Sequence, residues 1–387
     1  MPAIDRTIAP LALSLFAQYP VLTITGPRQS GKTTLVRHLF KDKPYVNFEK
    51  PDVREFFESD PNGFLDSYAD GAVFDEIQRV PQLTSYLQVK VDESGRNGLF
   101  VLTGSAQFEM LAQVTQSLVG RTALLRLLPF SIDELGPLCP GNLDTLLRTG
   151  FYPRVHDQKL DPSQFYSDYL QTYVERDLRQ LTEVRNLSAF QRFIRLCAGR
   201  VGQLLNMESL GADTGVSSVT VRHWLSVLEA SYVVALLPPW HENIGKRLIK
   251  SPKLYFYDIG LVSYLCGIEV DSHVANHPLR GNLFENLVVM EAFKRRYNQG
   301  KQAGLSFFRD AKGLEVDLLF PDGPRFIPVE IKSGQSIHSS FLDNLARLKT
   351  LLPERCAPGI LVYGGAESQE RSQGRILPYA LFARSLP

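Results

Sequence analysis

Cysteine is scarce in this chain, and its four copies lie far apart: Cys139, Cys197, Cys266 and Cys356 include no CxxC pair. That spacing excludes a zinc ribbon and a dense disulfide framework, and it suits a reducing compartment. Long apolar runs are missing, since none approaches the ~18–20 residues that a membrane span requires. The N-terminus sets Asp5 and Arg6 ahead of an apolar stretch broken by Gln18 and Pro20. It therefore lacks the basic start and long apolar centre of a signal peptide. The chain reads as cytoplasmic, with no membrane partner. An excess of one charge sign is absent too, because 42 Lys and Arg face 41 Asp and Glu, a net charge of +1. A protein-wide basic field for nucleic acid is excluded, and any such surface must be local. Internal repeats and low-complexity tracts are also missing.

What is present is 44% hydrophobic residues against 21% charged, enough to bury real cores over 387 residues. That length suggests two or three domains. Residues 1–130 alternate β-branched runs with helical patterns, and the strand candidates are Val21–Thr25, Tyr45–Phe48, Ala72–Asp75, Leu99–Thr103 and Ala123–Leu128. Such alternation predicts an α/β domain with a parallel sheet. Residues 131–275 read as mainly helical. Residues 276–387 return to strands at Leu305–Phe308, Glu315–Phe320, Ile327–Ile331 and Gly359–Tyr363.

The strongest signal is Gly26-Pro27-Arg28-Gln29-Ser30-Gly31-Lys32-Thr33, followed by Thr34. It matches GxxxxGK[ST] between a strand and a helix carrying Leu35, Val36 and Leu39, which is the context a phosphate-binding loop needs. Glycines let the loop wrap until its N–H groups face the phosphates, and the helix N-terminus favours negative charge. Lys32 is expected to reach the β- and γ-phosphates, and the Thr33 hydroxyl to ligate Mg²⁺. The apolar run Ala72-Val73-Phe74 ends in Asp75-Glu76. Asp75 is expected to hold Mg²⁺ and Glu76 to orient and polarise the attacking water. Thr103-Gly104-Ser105 ends the next strand, where a hydroxyl can touch the γ-phosphate or close an ordinary turn. Arg121 reads by default as a solvated surface residue, with an arginine finger reaching a neighbouring subunit as the alternative.

From Leu204 to Leu237 the pattern is helix, turn, helix, strand. Ser217 or Ser218 can cap a helix whose Val221, Trp224, Leu225 and Leu228 share one face, leaving Thr220, Arg222, His223 and Ser226 outward. With Tyr232–Leu237 and Leu254–Tyr257 as a wing, this fits a winged helix-turn-helix, the alternative being a helical domain whose apolar stripe is core and whose polar face is solvated. Between Arg179 and Lys253 there are ten Lys or Arg against five Asp or Glu. Arg192, Arg195, Arg222, Lys246, Arg247, Lys250 and Lys253 are candidates to neutralise phosphates. Towards the C-terminus, Glu315-Val316-Asp317 and Glu330-Ile331-Lys332 lie on strands, with Glu330 and Lys332 on one face. Glu285 can join them from a helix. Asp317 and Glu330 are candidate Mg²⁺ ligands, with Lys332 activating water or stabilising the phosphate.

The order of phosphate loop, Asp75-Glu76, Thr103-Gly104-Ser105 and Gly120-Arg121 resembles the AAA+ ATPase core. The whole chain resembles a prokaryotic group of AAA+ ATPases with a winged-helix-like middle region and a C-terminal restriction-endonuclease-like, PD-(D/E)XK domain. The residues carrying this resemblance include Phe74-Asp75-Glu76-Ile77-Gln78, Ser117-Leu118-Val119-Gly120-Arg121, Leu128-Pro129-Phe130-Ser131, Tyr173-Val174-Glu175-Arg176-Asp177 and Ser251-Pro252-Lys253-Leu254-Tyr255. It implies that Ser105 (or Thr103) is sensor 1, Arg121 the arginine finger and Arg154 a candidate sensor 2. Glu285, Asp317, Glu330 and Lys332 match the nuclease pattern, though such domains are often kept without cleavage. The expected function is an Mg-ATP hydrolase, acting as a homo-oligomer on duplex or branched DNA or on a DNA-bound complex. An ATP-gated, metal-dependent nuclease and a nucleotide-dependent protein-interaction switch without DNA are the alternatives.

Overall fold

The computed structural model describes residues 4–105, 117–174, 187–240 and 251–387, with the backbone alone for Ser105, Tyr173 and Val174. Five strands, β1 (Val21–Gly26), β2 (Tyr45–Asn47), β3 (Val73–Asp75), β4 (Phe100–Ser105) and β5 (Thr122–Arg126), form a sheet in the order β2-β3-β4-β1-β5. All of its pairings are parallel. Strands covered on both faces are apolar along their whole length, and β1 is buried at every position. Side-chain alternation divides the core in two. Val21, Phe74, Phe100 and Leu102 pack against Phe48, Phe57 and Phe64 on one face. Leu22, Ile24, Val73 and Val101 pack against Ile8, Leu35 and Val36 on the other.

The middle of the chain includes the helices Leu187–Ala198, Met207–Thr214 and Ser218–Ala230, followed by an antiparallel pair, β6 (Val234–Leu237) and β7 (Lys253–Phe256). The Ser217 side chain accepts the Thr220 N–H at 3.1 Å and so starts the third helix. Val221, Trp224, Leu225 and Leu228 are buried, and Phe190 and Phe193 each hold the Trp224 ring at 5.3 Å. Arg222 and His223 are exposed.

The helix Arg280–Asn298 leads into a mixed six-stranded sheet of order β12-β13-β11-β10-β9-β8. Its strands are β8 (Ser306–Arg309), β9 (Glu315–Asp322), β10 (Arg325–Lys332), β11 (Gly359–Tyr363), β12 (Gln369–Arg371) and β13 (Gly374–Pro378). β12 and β13 were not expected. Gln369-Glu370-Arg371 is wholly polar, so neither alternation nor an apolar run marks it as a strand. One continuous apolar core runs from Phe130 and Leu146 through Trp224 and Phe256 to Leu287, Val329 and Phe382. The β6–β7 hairpin is thus packed into the same interior as the C-terminal sheet. No helix among the described residues is long and apolar enough to cross a membrane.

Candidate nucleotide site

The phosphate loop leaves the carboxyl end of β1. At Gly26 φ is +150°, and a Cβ there would fall 2.1 Å from the Leu127 carbonyl oxygen, so only glycine allows this exit. Gly31, at φ +94°, starts the helix Lys32–Leu39. Lys32 is buried, and its ammonium donates to the carbonyl oxygens of Gly26 at 3.0 Å and Pro27 at 2.7 Å. Burial pulls its pKa down from 10.5 to about 8, against the attraction of Glu76 and Asp75.

Asp75 closes β3 beside this loop. Its Oδ2 accepts the hydroxyls of Thr33 at 2.8 Å and Tyr45 at 2.5 Å. Its Oδ1 accepts the Thr103 hydroxyl and the Glu76 N–H. A hydroxyl and a carboxylate at hydrogen-bond distance are hard oxygen donors, a set that fits Mg²⁺. Glu76 follows in a left-handed conformation (φ 60°) and accepts the Gln78 amide. A cavity of about 630 Å³ opens over Gly31, Lys32, Thr33, Thr34 and Glu76, and Arg28 and Gln29 also line it. Ile4, Leu35, Leu39, Phe130, Pro153 and Arg154 also line it. A cavity of this size, with apolar side chains beside phosphate-binding groups, suits a nucleotide.

Two residues of this site carry no signal in the sequence. Tyr45 lies opposite Val73 in the register of β2 with β3, two residues before Asp75 on the same face, and its hydroxyl reaches along the strand to Asp75, while the Arg37 guanidinium lies 4.5 Å over its ring. Burial, and then the bond to Asp75, hold its phenol pKa above the ordinary value, so it stays a donor. Arg6 donates to the carbonyl oxygens of Ser30 at 2.8 Å and Leu128 at 2.6 Å, and pairs with Glu134 at 3.1 Å. It ties the phosphate loop to the chain leaving β5. Neither residue sits in a motif, so no local pattern could have found it. Tyr45→Phe is expected to raise the Mg²⁺ concentration for half-maximal turnover about 10-fold, the worth of one hydrogen bond to a charged group. Nucleotide-dependent Mn²⁺ binding, followed by paramagnetic resonance, should shift likewise; an unchanged metal requirement would show that Tyr45 is only packing.

Ser105 ends β4, opposite Gly26, but its side chain lies outside the described residues, as do Glu175, Arg176, Asp177, Lys246, Arg247 and Lys250. Thr103 touches Asp75 instead. Arg121 precedes β5, whose Thr122 lies opposite Val21 at the amino end of β1. The phosphate loop follows the opposite end, roughly 17–20 Å away at ~3.3 Å per residue. Arg121 is held by Asp92, with contacts of 2.5 and 2.7 Å.

In the C-terminal sheet the structure does bring Glu285, Asp317, Glu330 and Lys332 together, and Lys332 donates to Glu330 at 2.7 Å. Lys253 lies among them, buried, with its ammonium 3.0 Å from Glu285 and 2.7 Å from Glu315. It is therefore not a surface cation for phosphates. Burial first, and then the charge of Asp317, push Glu285 and Glu330 up to about 7.

Comparison with known proteins agrees with the first sheet. A model described as an AAA domain matches residues 18–136. Two domains of unknown function follow, DUF8612 over residues 141–272 and DUF4143 over residues 280–382. The uncharacterized proteins Rv2008c of Mycobacterium tuberculosis and Mb2031c of Mycobacterium bovis are each 31% identical over 343 residues, 86% of this chain and 76% of theirs. Among solved structures, the Walker-type ATPase PABY2304 of Pyrococcus abyssi aligns at 13% identity and a TM-score of 0.45, over 68% of this chain and 96% of that one. With the phosphate loop and acidic strand end inside the AAA domain match, the chain is a P-loop ATPase that joins an AAA domain to a DUF4143 domain, and it belongs to one family with these uncharacterized mycobacterial proteins.

Proposed function

We propose that this ATPase hydrolyses Mg-ATP in the cavity over Lys32 and couples turnover to DNA, or to a DNA-bound complex, as a homo-oligomer. The observation that carries the reading is Thr33 hydrogen-bonded to Asp75, with Glu76 beside it facing the cavity. Backbone N–H groups between Gly26 and Thr34, Pro27 excepted, would cradle the phosphates, and Lys32 would turn from its loop carbonyls to the β- and γ-phosphates. Thr33 and Asp75 would hold Mg²⁺, which supplies charge neutralisation there. Glu76 would orient the attacking water and take its proton as the new P–O bond forms and the β–γ bridge bond breaks. A hydroxyl at the end of β4, Ser105 or Thr103, would touch the γ-phosphate, and Arg154, which lines the cavity, would approach it. Arg121 lies too far from its own chain's loop to act there, which supports action on a neighbour's site.

Glu76→Gln tests the hydrolytic role. It is expected to bind ATP as tightly as the wild type and to turn it over ~10²–10³-fold more slowly, the usual loss for a general base. Unchanged turnover would remove Glu76 from the reaction.

The DNA partner is supported by the exposed Arg192, Arg195 and Arg222 on the helices preceding the hairpin. If phosphates are neutralised there, log K should fall linearly with log salt, and Arg222→Ala should reduce that slope by about 1. DNA binding that ignores salt, or no binding at all, would favour the protein-interaction switch.

A further inference from the structure

The C-terminal carboxylates converge on a cation that the chain itself supplies. Glu285 comes from the helix Arg280–Asn298, Glu315 and Asp317 from one face of β9, and Glu330 from β10. Into this cluster β7 sends Lys253, which is 3% exposed. Its Nζ lies 3.0 Å from Glu285, 2.7 Å from Glu315 and 3.8 Å from Asp317. An ammonium has three donors, and three carboxylates stand around this one.

We infer that Lys253 is the resident cation of this cluster in place of a divalent metal, so that the cluster fastens the β6–β7 hairpin to the C-terminal sheet and does not cut DNA.

The remaining carboxylate oxygens agree with that assignment. Asp317 Oδ2 accepts the Ile331 N–H at 2.9 Å, Glu330 Oε1 accepts Lys332 at 2.7 Å, and Glu315 Oε2 meets Arg309 at 3.1 Å. Glu285 Oε1 also accepts the Tyr255 hydroxyl at 2.5 Å. Among the described residues Glu330 Oε2 is the one fully buried carboxylate oxygen without a partner. A divalent ion would need several of these oxygens at ~2.0–2.6 Å, beside a buried positive charge that repels it. No group of three or more His, Cys, Asp or Glu side chains among the described residues is arranged to hold a metal.

The hairpin carries further fastenings to the same region. Asn286 accepts the Phe256 N–H at 2.8 Å and donates to the Phe256 carbonyl at 3.0 Å. Trp240 donates its backbone N–H to the Phe307 carbonyl at 2.7 Å. The cost of burying Lys253 is offset by the carboxylates around it, which leaves a charged peg at the centre of the joint. The helix Ser218–Ala230, joined directly to the hairpin, is thereby tied to the C-terminal sheet. None of this depends on the ATPase reading.

The test measures Mn²⁺ bound by the full chain without nucleotide, using paramagnetic resonance, for wild type and Asp317→Asn. Equal Mn²⁺ occupancy in the two is expected; an equivalent of Mn²⁺ lost in Asp317→Asn overturns the inference, as does Mn²⁺-dependent nicking of supercoiled DNA that this variant abolishes. In metal-free buffer Lys253→Met should lose about 10 °C in Tm, since the carboxylates are left unpaired. Adding Glu285→Gln should recover most of that loss. A Lys253→Met protein as stable as wild type would also overturn the inference. The Mn²⁺ comparison decides the matter even if Lys253→Met does not fold.

Discussion

Lys32→Ala is expected to weaken ATP binding by at least ~100-fold and to remove measurable turnover, because it deletes the buried cation that would turn to the β- and γ-phosphates. The same substitution should leave the nucleotide-free fold nearly intact. Lys32 is held at a pKa of about 8, below its ordinary 10.5, so the folded chain binds this proton less tightly than the unfolded chain does. Stability from this group is therefore lowest below pH 8, and it rises as pH climbs towards 10.5. Removing the side chain relieves that cost at neutral pH, which offsets the packing it gives up. Calorimetry with ATP and thermal melts without it separate the two effects. A variant that still shows a large ATP-induced rise in Tm would overturn the assignment of Lys32, and one that melts far lower without nucleotide would mean that the lysine acts on the fold.

Arg121→Ala is expected to leave ATP binding intact and to slow hydrolysis by ~10³-fold or more, the scale of an arginine finger. The decisive form of this experiment is complementation. Lys32→Ala has a dead loop but a sound finger, and Arg121→Ala has a sound loop but no finger. Mixed, they can assemble interfaces in which one chain's Arg121 faces the other's intact loop, so the mixture should recover a substantial part of wild-type turnover. Two inactive parents and an inactive mixture would mean that Arg121 does not act across subunits. Arg121→Ala with wild-type turnover would return it to the surface role suggested by its contact with Asp92.

The nucleotide site is largely legible in the sequence. The phosphate loop and the Asp75-Glu76 strand end are local patterns, in which backbone conformation and chemistry are specified by neighbours in the chain. The five strands of the first sheet, and the capped helix beginning after Ser217, declare themselves in the same way. Tyr45 and Arg6 are invisible there because their roles depend on which strand lies beside β3 and on where the N-terminal segment crosses. β12 is hidden because it carries no apolar residue at all.

The carboxylate cluster shows the division most clearly. Sequence alone determined that Glu330 and Lys332 share a face, since strand side chains repeat every two residues. The recurrence of Glu285, Asp317 and Glu330 also made a metal site a fair expectation. Sequence could not say that Lys253, from a different part of the chain, would fill the space between them. Charge partners in a buried site are chosen by tertiary packing, because desolvation forces every buried charge to find its opposite wherever the fold brings one. The chain therefore announces the nucleotide loop in its own local order, while the fold decides which cation sits among the C-terminal carboxylates.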